Sequence, residues 1–332
     1  MLRRTFLAAP AIAAAGVAAR SATPASTEPR MKLMVSASHR LSMCPLYLAY
    51  ESGYFADAGF EVEVTKDIGT AQSLPLLAGG KLDASFTSFG PPVVNAAVRG
   101  ARVQVVAGRE LILSSCGTAG TIFLSRKAFP QGVRNMRQLQ GARIAISSSS
   151  PQTGFWLETL LQHEGMQLID VAMRKMREIE RIAALRAGAL EAFVSTEADL
   201  NPELLPLGLI AGPSVARVLP NYQYSHIIFG SRLLDGRVEI GARFLRAYFR
   251  SADEFLEGRT PRFLQDYARE NNLDPTLLRH ACRATFERDG TIHINDMQRY
   301  TEWMAAHEMC PVNLDATAFA DTRFLKAARS MK

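Results

Sequence analysis

Residues 77–92 (LAGGKLDASFTSFGPP) have a shorter counterpart later in the chain, at residues 185–194 (LRAGALEAFV). Both segments read as the end of a helix, a glycine that stops the helix, an acidic turn residue and a short apolar strand. One alternative is that any turn from a helix through glycine into a strand has this appearance. We favour a second explanation, in which one chain contains two lobes of similar α/β construction.

Predicted strands and helices alternate on both sides of these segments. The first series has strands at 32–38, 60–65, 83–87 and 102–107, with helices at 45–55, 71–78 and 92–98. The second has strands at 121–125, 143–147, 168–175 and 192–195, with helices at 151–164 and 178–187. A strand-like run at 222–230 then leads into helices at 237–256, 261–271, 275–287 and 295–307. The alternation predicts α/β sheets, which bind ligands beyond the carboxyl ends of their strands, so two such edges facing each other make a cleft.

The composition is that of a globular protein. Of the 332 residues, 48% are hydrophobic and 21% are charged, which excludes a disordered chain, a collagen and a polytopic membrane protein. The net charge is +6, but Arg3, Arg4 and Arg20 lie in an N-terminal stretch that has no acidic residue. Because the other basic residues are scattered singly, we interpret them as solvated surface and expect no nucleic-acid partner.

The N-terminus has the pattern of an export signal. Arg3 and Arg4 precede an apolar stretch at residues 8–19, and small residues follow it. This order is typical of a secretory signal peptide, and the stretch is shorter than the roughly 20 residues that span a membrane. The paired arginines resemble a twin-arginine signal. We therefore expect residues 1–25 to be a signal peptide, cleaved after Ala19 or Ala25, and the mature protein to be periplasmic.

The cysteines do not indicate a metal site. None of the spacings is CxxC, and no histidine lies at a ligand offset from a cysteine, so we expect neither a metal nor a cofactor. Export would place the thiols in an oxidising compartment, where disulfides can form. Three pairings are open, and the sequence does not choose among them. The four cysteines are Cys44, Cys116, Cys282 and Cys310.

Six segments carry a family likeness through their order and spacing. They are PLYLA (45–49), GYF (53–55), GFEV (59–62), LLAGGKLDASFTSFGPP (76–92), VRNMRQLQGARIAISSSSPQTGFWLETLL (133–161) and ALRAGALEAFVS (184–195). Together they resemble the periplasmic substrate-binding proteins of nitrate/sulfonate/taurine-type ABC transporters, a superfamily that includes the thiamine-precursor binding proteins. The likeness runs from about residue 31 to residue 196, and the helical tail agrees in kind but not in motif.

This resemblance implies a two-lobed periplasmic-binding-protein fold of type II, with a ligand cleft between the lobes and two crossings of the chain. Lobe 1 would comprise residues 31–110 and 220–332, and lobe 2 residues 115–215. It implies the solute-binding component of an ABC importer, which captures a small polar or heteroaromatic solute and delivers it to a permease and its ATPase subunits. The chain has no GxxxxGK[ST] loop, so another subunit would hydrolyse ATP.

The alternative is an exported enzyme or a ligand sensor on the same scaffold, since one fold hosts many functions. The sequence has no GxSxG or HExxH motif, and nothing in it resembles the cysteine-rich motif of the related thiamine-pyrimidine synthases. We therefore expect a binding protein and no catalytic residues.

Candidate ligand contacts in lobe 1 follow two predicted strands. His39 and Ser42 come after the first, and Ser88 and Gly90 come after the third. Ser88 offers a hydroxyl, and Gly90 would let the backbone approach a ligand closely. Ser88 could also be a helix N-cap, a role compatible with ligand contact because both belong to the same turn. The alternative for His39 is an ordinary loop histidine. Two prolines at the start of the next helix remove N–H groups that would cradle an anion.

In lobe 2 the serine-rich turn at 147–154 precedes an amphipathic helix. Ser149, Gln152 and Thr153 would present polar groups at the positive end of that helix, or the turn is merely a flexible one. Glu197 follows the last strand of lobe 2, where a carboxylate would favour an amine or a hydroxyl, or would be a solvated loop acid. Tyr224, near the return crossing, would stack on a flat solute or pack the hinge.

Overall fold

The computed structural model describes residues 29–66, 68–114, 119–195, 207–274 and 286–331. Its strands form two five-stranded sheets. No helix in these ranges is long and apolar enough to cross a membrane. The predicted signal peptide lies outside the described residues, as do Cys116, Cys282, Glu197 and most of the helix predicted at 275–287.

The first sheet combines strands from two distant parts of the chain. They are β1 (Met31–Ala37), β2 (Phe60–Lys66), β3 (Ala84–Thr87), β4 (Gln104–Ile112) and β10 (Tyr222–Phe229). Their order in the sheet is β2-β1-β3-β10-β4. The first three strands in this order are parallel, and β10 is antiparallel to both β3 and β4. We refer to this sheet and the helices on it as lobe 1.

The second sheet is built from β5 (Thr121–Leu124), β6 (Arg143–Ser147), β7 (Ala172–Met176), β8 (Ala192–Val194) and β9 (Ile210–Ser214). Their order is β7-β6-β8-β5-β9. Strand β6 is parallel to β7 and β8, and β5 is antiparallel to β8 and β9. This sheet and its helices form lobe 2.

The helices cover both faces of both sheets. In lobe 1 they are α1 (Cys44–Glu51), α2 (Tyr54–Asp57), α3 (Thr70–Ala78), α4 (Pro91–Val98), α7 (Ser231–Leu234), α8 (Val238–Leu256), α9 (Arg262–Glu270) and α11 (Arg323–Ser330). In lobe 2 they are α5 (Gln152–His163) and α6 (Glu178–Ala187). A further described helix, α10 (Ile294–Ala306), contacts both lobes.

Some predicted boundaries are wrong for local physical reasons. The helix expected at 45–55 is divided because Gly53 has φ = 75°, a left-handed conformation that ends α1. The strand expected at 168–175 begins as a single helical turn, Leu168–Asp170, and only then becomes β7. Strand β9 is not predicted from the sequence, because its five residues include a glycine and a proline, which are depleted in strands.

Helix α10 contacts both lobes. On lobe 1, Asp296 accepts a hydrogen bond from the backbone N–H of Gln223, in β10, at 2.8 Å. On lobe 2, the Glu158 carboxylate of α5 accepts from the Trp303 indole at 2.8 Å and lies 3.0 Å from the His307 ring. A helix within the range expected to belong to lobe 1 therefore joins the lobes, in addition to the two chain crossings.

Two glycines near this junction, Gly90 and Gly108, are both buried. A Cβ at Gly108 would overlap the Thr291 carbonyl and the Gln223 side chain, whereas a Cβ at Gly90 would lie 3.8 Å from the Tyr300 ring. We expect Gly108→Ala to lower the free energy of unfolding by about 1–3 kcal/mol because it overpacks β4. Gly90→Ala should change that free energy by less than about 1 kcal/mol. Urea denaturation measures both values, and equal losses would contradict the geometry.

Candidate functional site

A cleft of about 270 Å³ lies where the two lobes face each other. Strands β1, β3 and β6 end at this cleft, and helices α3 and α5 begin at it, so its walls are strand-to-helix turns. Strands β4 and β10 add side chains. The cleft is lined by Ser38, Arg40, Ser42, Met43, Ile68, Gly69, Thr70, Phe86, Thr87, Ser88, Arg109, Glu110, Ser147, Ser149, Ser150, Gln152, Trp156, Arg181, Tyr224 and Ser225.

Five residues selected from the sequence meet in this cleft. Lobe 1 contributes Ser42, Ser88 and Tyr224, and lobe 2 contributes Ser149 and Gln152. The turns that the sequence predicts to contact a ligand follow different strands, and the structure places them next to one another in space. Three other candidates are not brought to the cleft, namely His39, Gly90 and Thr153, and Glu197 lies outside the described residues.

His39 and Gly90 have structural roles within lobe 1. The His39 ring lies 2.7 Å from a Glu270 carboxylate oxygen and meets the Phe263 ring edge-on at 5.1 Å. Both partners belong to α9, so the imidazole faces this helix. Gly90 is the N-cap of α4, which means that Ser88 does not have the capping role considered for it. The Ser88 hydroxyl is therefore not committed to that helix end.

The buried Thr153 side chain stabilises the serine-rich turn through two hydrogen bonds. Its hydroxyl accepts a hydrogen bond from the Ser147 backbone N–H at 2.9 Å and donates one to the Ser150 carbonyl at 2.8 Å. The residue is fully buried. Gln152, the next residue towards the N-terminus, lines the cleft, and its amide donates to the Tyr222 hydroxyl at 3.4 Å. The two neighbours therefore have different roles.

We expect alanine substitutions to separate these roles. Thr153→Ala should lower the free energy of unfolding by about 1–2 kcal/mol, since it removes two hydrogen bonds that close the turn, and should leave the solute affinity unchanged. Gln152→Ala should weaken binding roughly five- to 150-fold, the range for one lost hydrogen bond to a charged or polar ligand. Urea denaturation and calorimetric titration of both variants test this. Lost affinity with intact stability in Thr153→Ala would contradict it.

The charged residues of the cleft are not among the candidates predicted from the sequence. Three of the lining side chains carry guanidinium groups, Arg40, Arg109 and Arg181, and one carries a carboxylate, Glu110. Arg109 and Glu110 lie in β4, which was expected to end at residue 107. The signal was present, because the charged pair stands inside an otherwise apolar strand, where a charge requires a partner or a ligand.

Arg109 is the most strongly constrained of these residues. Its side chain is 1% exposed. The guanidinium lies 3.2 Å from Glu110, donates to the Ser42 carbonyl at 2.8 Å and donates to the Ser225 hydroxyl at 3.0 Å. It also lies over the Phe86 ring, 5.4 Å from the centroid. Burial is the largest single influence and acts to lower the pKa of Arg109, but the Glu110 carboxylate and the hydroxyls of Tyr248 and Tyr224 together outweigh it, and the pKa is raised. Arg109 therefore stays charged at the edge of the cleft.

The remaining polar groups favour a negatively charged ligand. The amino ends of α3 and α5 open at the cleft through Thr70 and Gln152, and a helix amino end attracts an anion. The lining carboxylate of Glu110 already faces Arg109 and accepts from the Tyr224 hydroxyl at 3.2 Å. The described lining thus has an excess of positive charge and many hydroxyl donors.

Comparisons with known proteins identify the fold. The family model described as "NMT1/THI5 like" matches residues 41–258. The comparison with curated proteins gives no match.

Three solved structures illustrate the likeness. The alkanesulfonate-binding protein SsuA from Xanthomonas axonopodis pv. citri, bound to MOPS, is 16% identical, with a TM-score of 0.66 over 91% of this chain and 99% of that one. The periplasmic nitrate-binding protein NrtA from Synechocystis PCC 6803 is 13% identical, with a TM-score of 0.65 over 91% and 89%. The desulfurization enzyme DSZB is 15% identical, with a TM-score of 0.62 over 90% and 99%. These matches confirm the two-lobed periplasmic-binding-protein fold that the resemblance implied.

Proposed function

The chain belongs to the NMT1/THI5-like family, and we propose that it is the extracytoplasmic solute-binding component of an ABC importer that captures a small anionic solute between its lobes. The observation that carries this proposal is the lining of the cleft. Among the lining residues that the structure describes, three guanidinium groups and two helix amino ends stand against one carboxylate, and Arg109 already pairs with that carboxylate. Such a set of donors suits an oxyanion or another anionic group.

Two further observations support the proposal. Structures of the same fold include proteins named as binding an alkanesulfonate and nitrate, both of which are oxyanions. The N-terminal residues 1–25 also have the pattern of a twin-arginine export signal. We propose that the signal is removed and that the mature protein works in the periplasm, where it delivers the solute to a permease driven by ATPase subunits.

Binding would close the lobes around the solute. Two crossings join them, and each lobe carries part of the lining, which is the arrangement that supports hinge closure. Helix α10 also bonds to both lobes, so closure must carry it along or break its contact with Glu158. Solution scattering should give a smaller radius of gyration when the cleft is saturated, and an unchanged radius would contradict closure.

Calorimetric titration of the mature protein tests the proposed function. The panel comprises an aliphatic sulfonate, nitrate, a carboxylate and phosphate, with choline as a cationic control. We expect one of the anions to bind with one-to-one stoichiometry, Gln152→Ala to bind it more weakly, and choline not to bind. Binding of choline alone, or of none of these, would contradict an anion site.

The same titrations address the enzyme alternative, which the fold shared with the desulfurization enzyme DSZB keeps open. After prolonged incubation with the protein, the bound solute is recovered and its mass measured. We expect it to be recovered unchanged. A product that accumulates beyond one equivalent of protein would replace the transport role with a catalytic one.

A further inference from the structure

A second concave surface lies on the helical side of lobe 1. It has a volume of about 700 Å³ and is formed by α2, α8, α11 and the segment at residues 288–289. None of the described residues that line it also lines the cleft. Five of the lining residues are arginines, namely Arg243, Arg246, Arg250, Arg288 and Arg329. We call this surface the arginine groove.

The positive charge of the groove is concentrated on α8. Three aspartates, at positions 57, 253 and 289, also line it. Two of the arginines are neutralised by them, because Arg288 lies 3.5 Å from Asp253 and Arg329 lies 2.8 Å from Asp289. The other three arginines belong to α8. Among these, Arg243 and Arg246 form no salt bridge with any residue in the described part of the chain, and both are exposed.

Aromatic rings hold two of the α8 arginines in place. The Arg250 guanidinium lies over the Tyr54 ring, 3.9 Å from its centroid, and the Arg243 guanidinium lies over the Phe60 ring at 5.3 Å. Tyr54 is fixed in turn, since its hydroxyl donates to Glu254 at 2.6 Å. A stacked guanidinium keeps its N–H edge available for a carboxylate. The edge of Arg250 already lies 3.7 Å from Glu254, whereas Arg243 has no salt-bridge partner among the described residues. Less side-chain entropy is then lost when a partner binds.

The spacing of the arginines indicates the shape of the occupant. Positions 243, 246 and 250 follow the i, i+3, i+7 pattern of one helix face and span roughly 10 Å along the axis. Apolar side chains of Leu325 and Ala328 border the same groove. A ligand that fits must therefore present several negative charges along a line, with apolar groups between them.

We propose that the arginine groove docks an acidic, partly apolar segment of a protein partner, which lies along α8. A protein segment matches this lining better than an anionic lipid surface does. The aspartates in the groove repel a uniformly negative surface, and a flat bilayer does not enter a concave groove. A peptide can place its carboxylates against α8 and its neutral groups against Asp57 and Asp289. This inference does not depend on what the cleft binds.

A synthetic peptide serves as the probe. It is a helical peptide with glutamates at i, i+3 and i+7 and leucines between them, and its control has the same composition with adjacent glutamates. We expect the first peptide to bind the full mature protein more tightly, and the binding to weaken as salt is added. Arg243→Gln/Arg246→Gln should weaken it roughly three- to tenfold, as expected for two exposed ion pairs.

The matched control is Arg137→Gln/Arg186→Gln, which removes the same charge from exposed positions of lobe 2. It should leave peptide binding unchanged, and both double variants should keep the affinity of the cleft for its solute. Equal weakening by the two variants, or no preference between the peptides, would overturn the proposal. Binding to phosphatidylglycerol vesicles but not to the peptide would also overturn it, in favour of a membrane surface.

Discussion

Arg109→Met is expected to lower the free energy of unfolding by about 3–5 kcal/mol, because it leaves the Glu110 carboxylate buried without its charged partner. Both side chains are almost fully buried, with exposures of 1% and 5%. The substitution also removes the donors to the Ser42 carbonyl and the Ser225 hydroxyl. Solute affinity should fall at least tenfold, since one of the charged donors of the cleft is lost.

A double variant separates the structural effect from the binding effect. Arg109→Met/Glu110→Gln removes both charges, so much of the lost stability should return, while solute binding stays weak. Urea denaturation and calorimetric titration measure the two quantities. If the double variant regains affinity together with stability, Arg109 supports the fold only and does not help to bind the solute.

Stability should fall as the pH is lowered from about 6.5 to about 3, because of His226. This residue of β10 is 1% exposed, and its Nδ1 accepts a hydrogen bond from the Phe89 backbone N–H at 3.4 Å. Burial lowers the pKa of His226 to about 3, and the charge of Arg109 acts in the same direction. In the unfolded chain the imidazole binds a proton near pH 6.5. Between these pH values the imidazole binds a proton in the unfolded state but not in the folded state. The free energy of unfolding therefore falls by about 1.4 kcal/mol for each pH unit.

Between pH 6.5 and about pH 4.5 this single group should remove roughly 2–3 kcal/mol of stability. His226→Gln should flatten the dependence on pH over that range. His293→Gln is the control, because hydrogen bonds to Asp296 and Glu287 raise the pKa of His293 to about 9. The stability that His293 contributes is fully present below pH 6.5 and is lost only as the pH rises through about 9. Its charge is the smallest of the named causes of the lowered His226 pKa, so His293→Gln should change the slope at acid pH far less than His226→Gln does. Parallel curves for wild type and His226→Gln would contradict the assignment.

The sequence was most informative where local chemistry decides the structure. Glycines at helix ends and alternating apolar residues predict most strands of both sheets. The local sequence also predicts that the turns at Ser88 and Ser149 face a ligand, and the structure brings both turns to one cleft. Those turns are at the carboxyl ends of strands, which is where this class of fold places its ligands.

Features that depend on contacts between residues far apart in the chain were the hardest to predict from the sequence. Arg109 and Glu110 were overlooked because charged residues usually mark the end of a strand, and here Tyr224 and Ser225 from another part of the chain satisfy them. The role of Thr153 depends on which way its hydroxyl points within a single turn. The contact of α10 with lobe 2 depends on the meeting of Trp303 and Glu158, which are far apart in the chain.

Mass spectrometry of small molecules released from the protein, purified from the periplasm of its host, tests the binding of an anionic solute most directly. The wild-type protein should release an anionic compound of low mass, at close to one equivalent. The Arg109→Met/Glu110→Gln variant, purified in the same way, should release much less of it. Release of a cationic compound, or of equal amounts of one compound from both proteins, would contradict the assignment of the cleft.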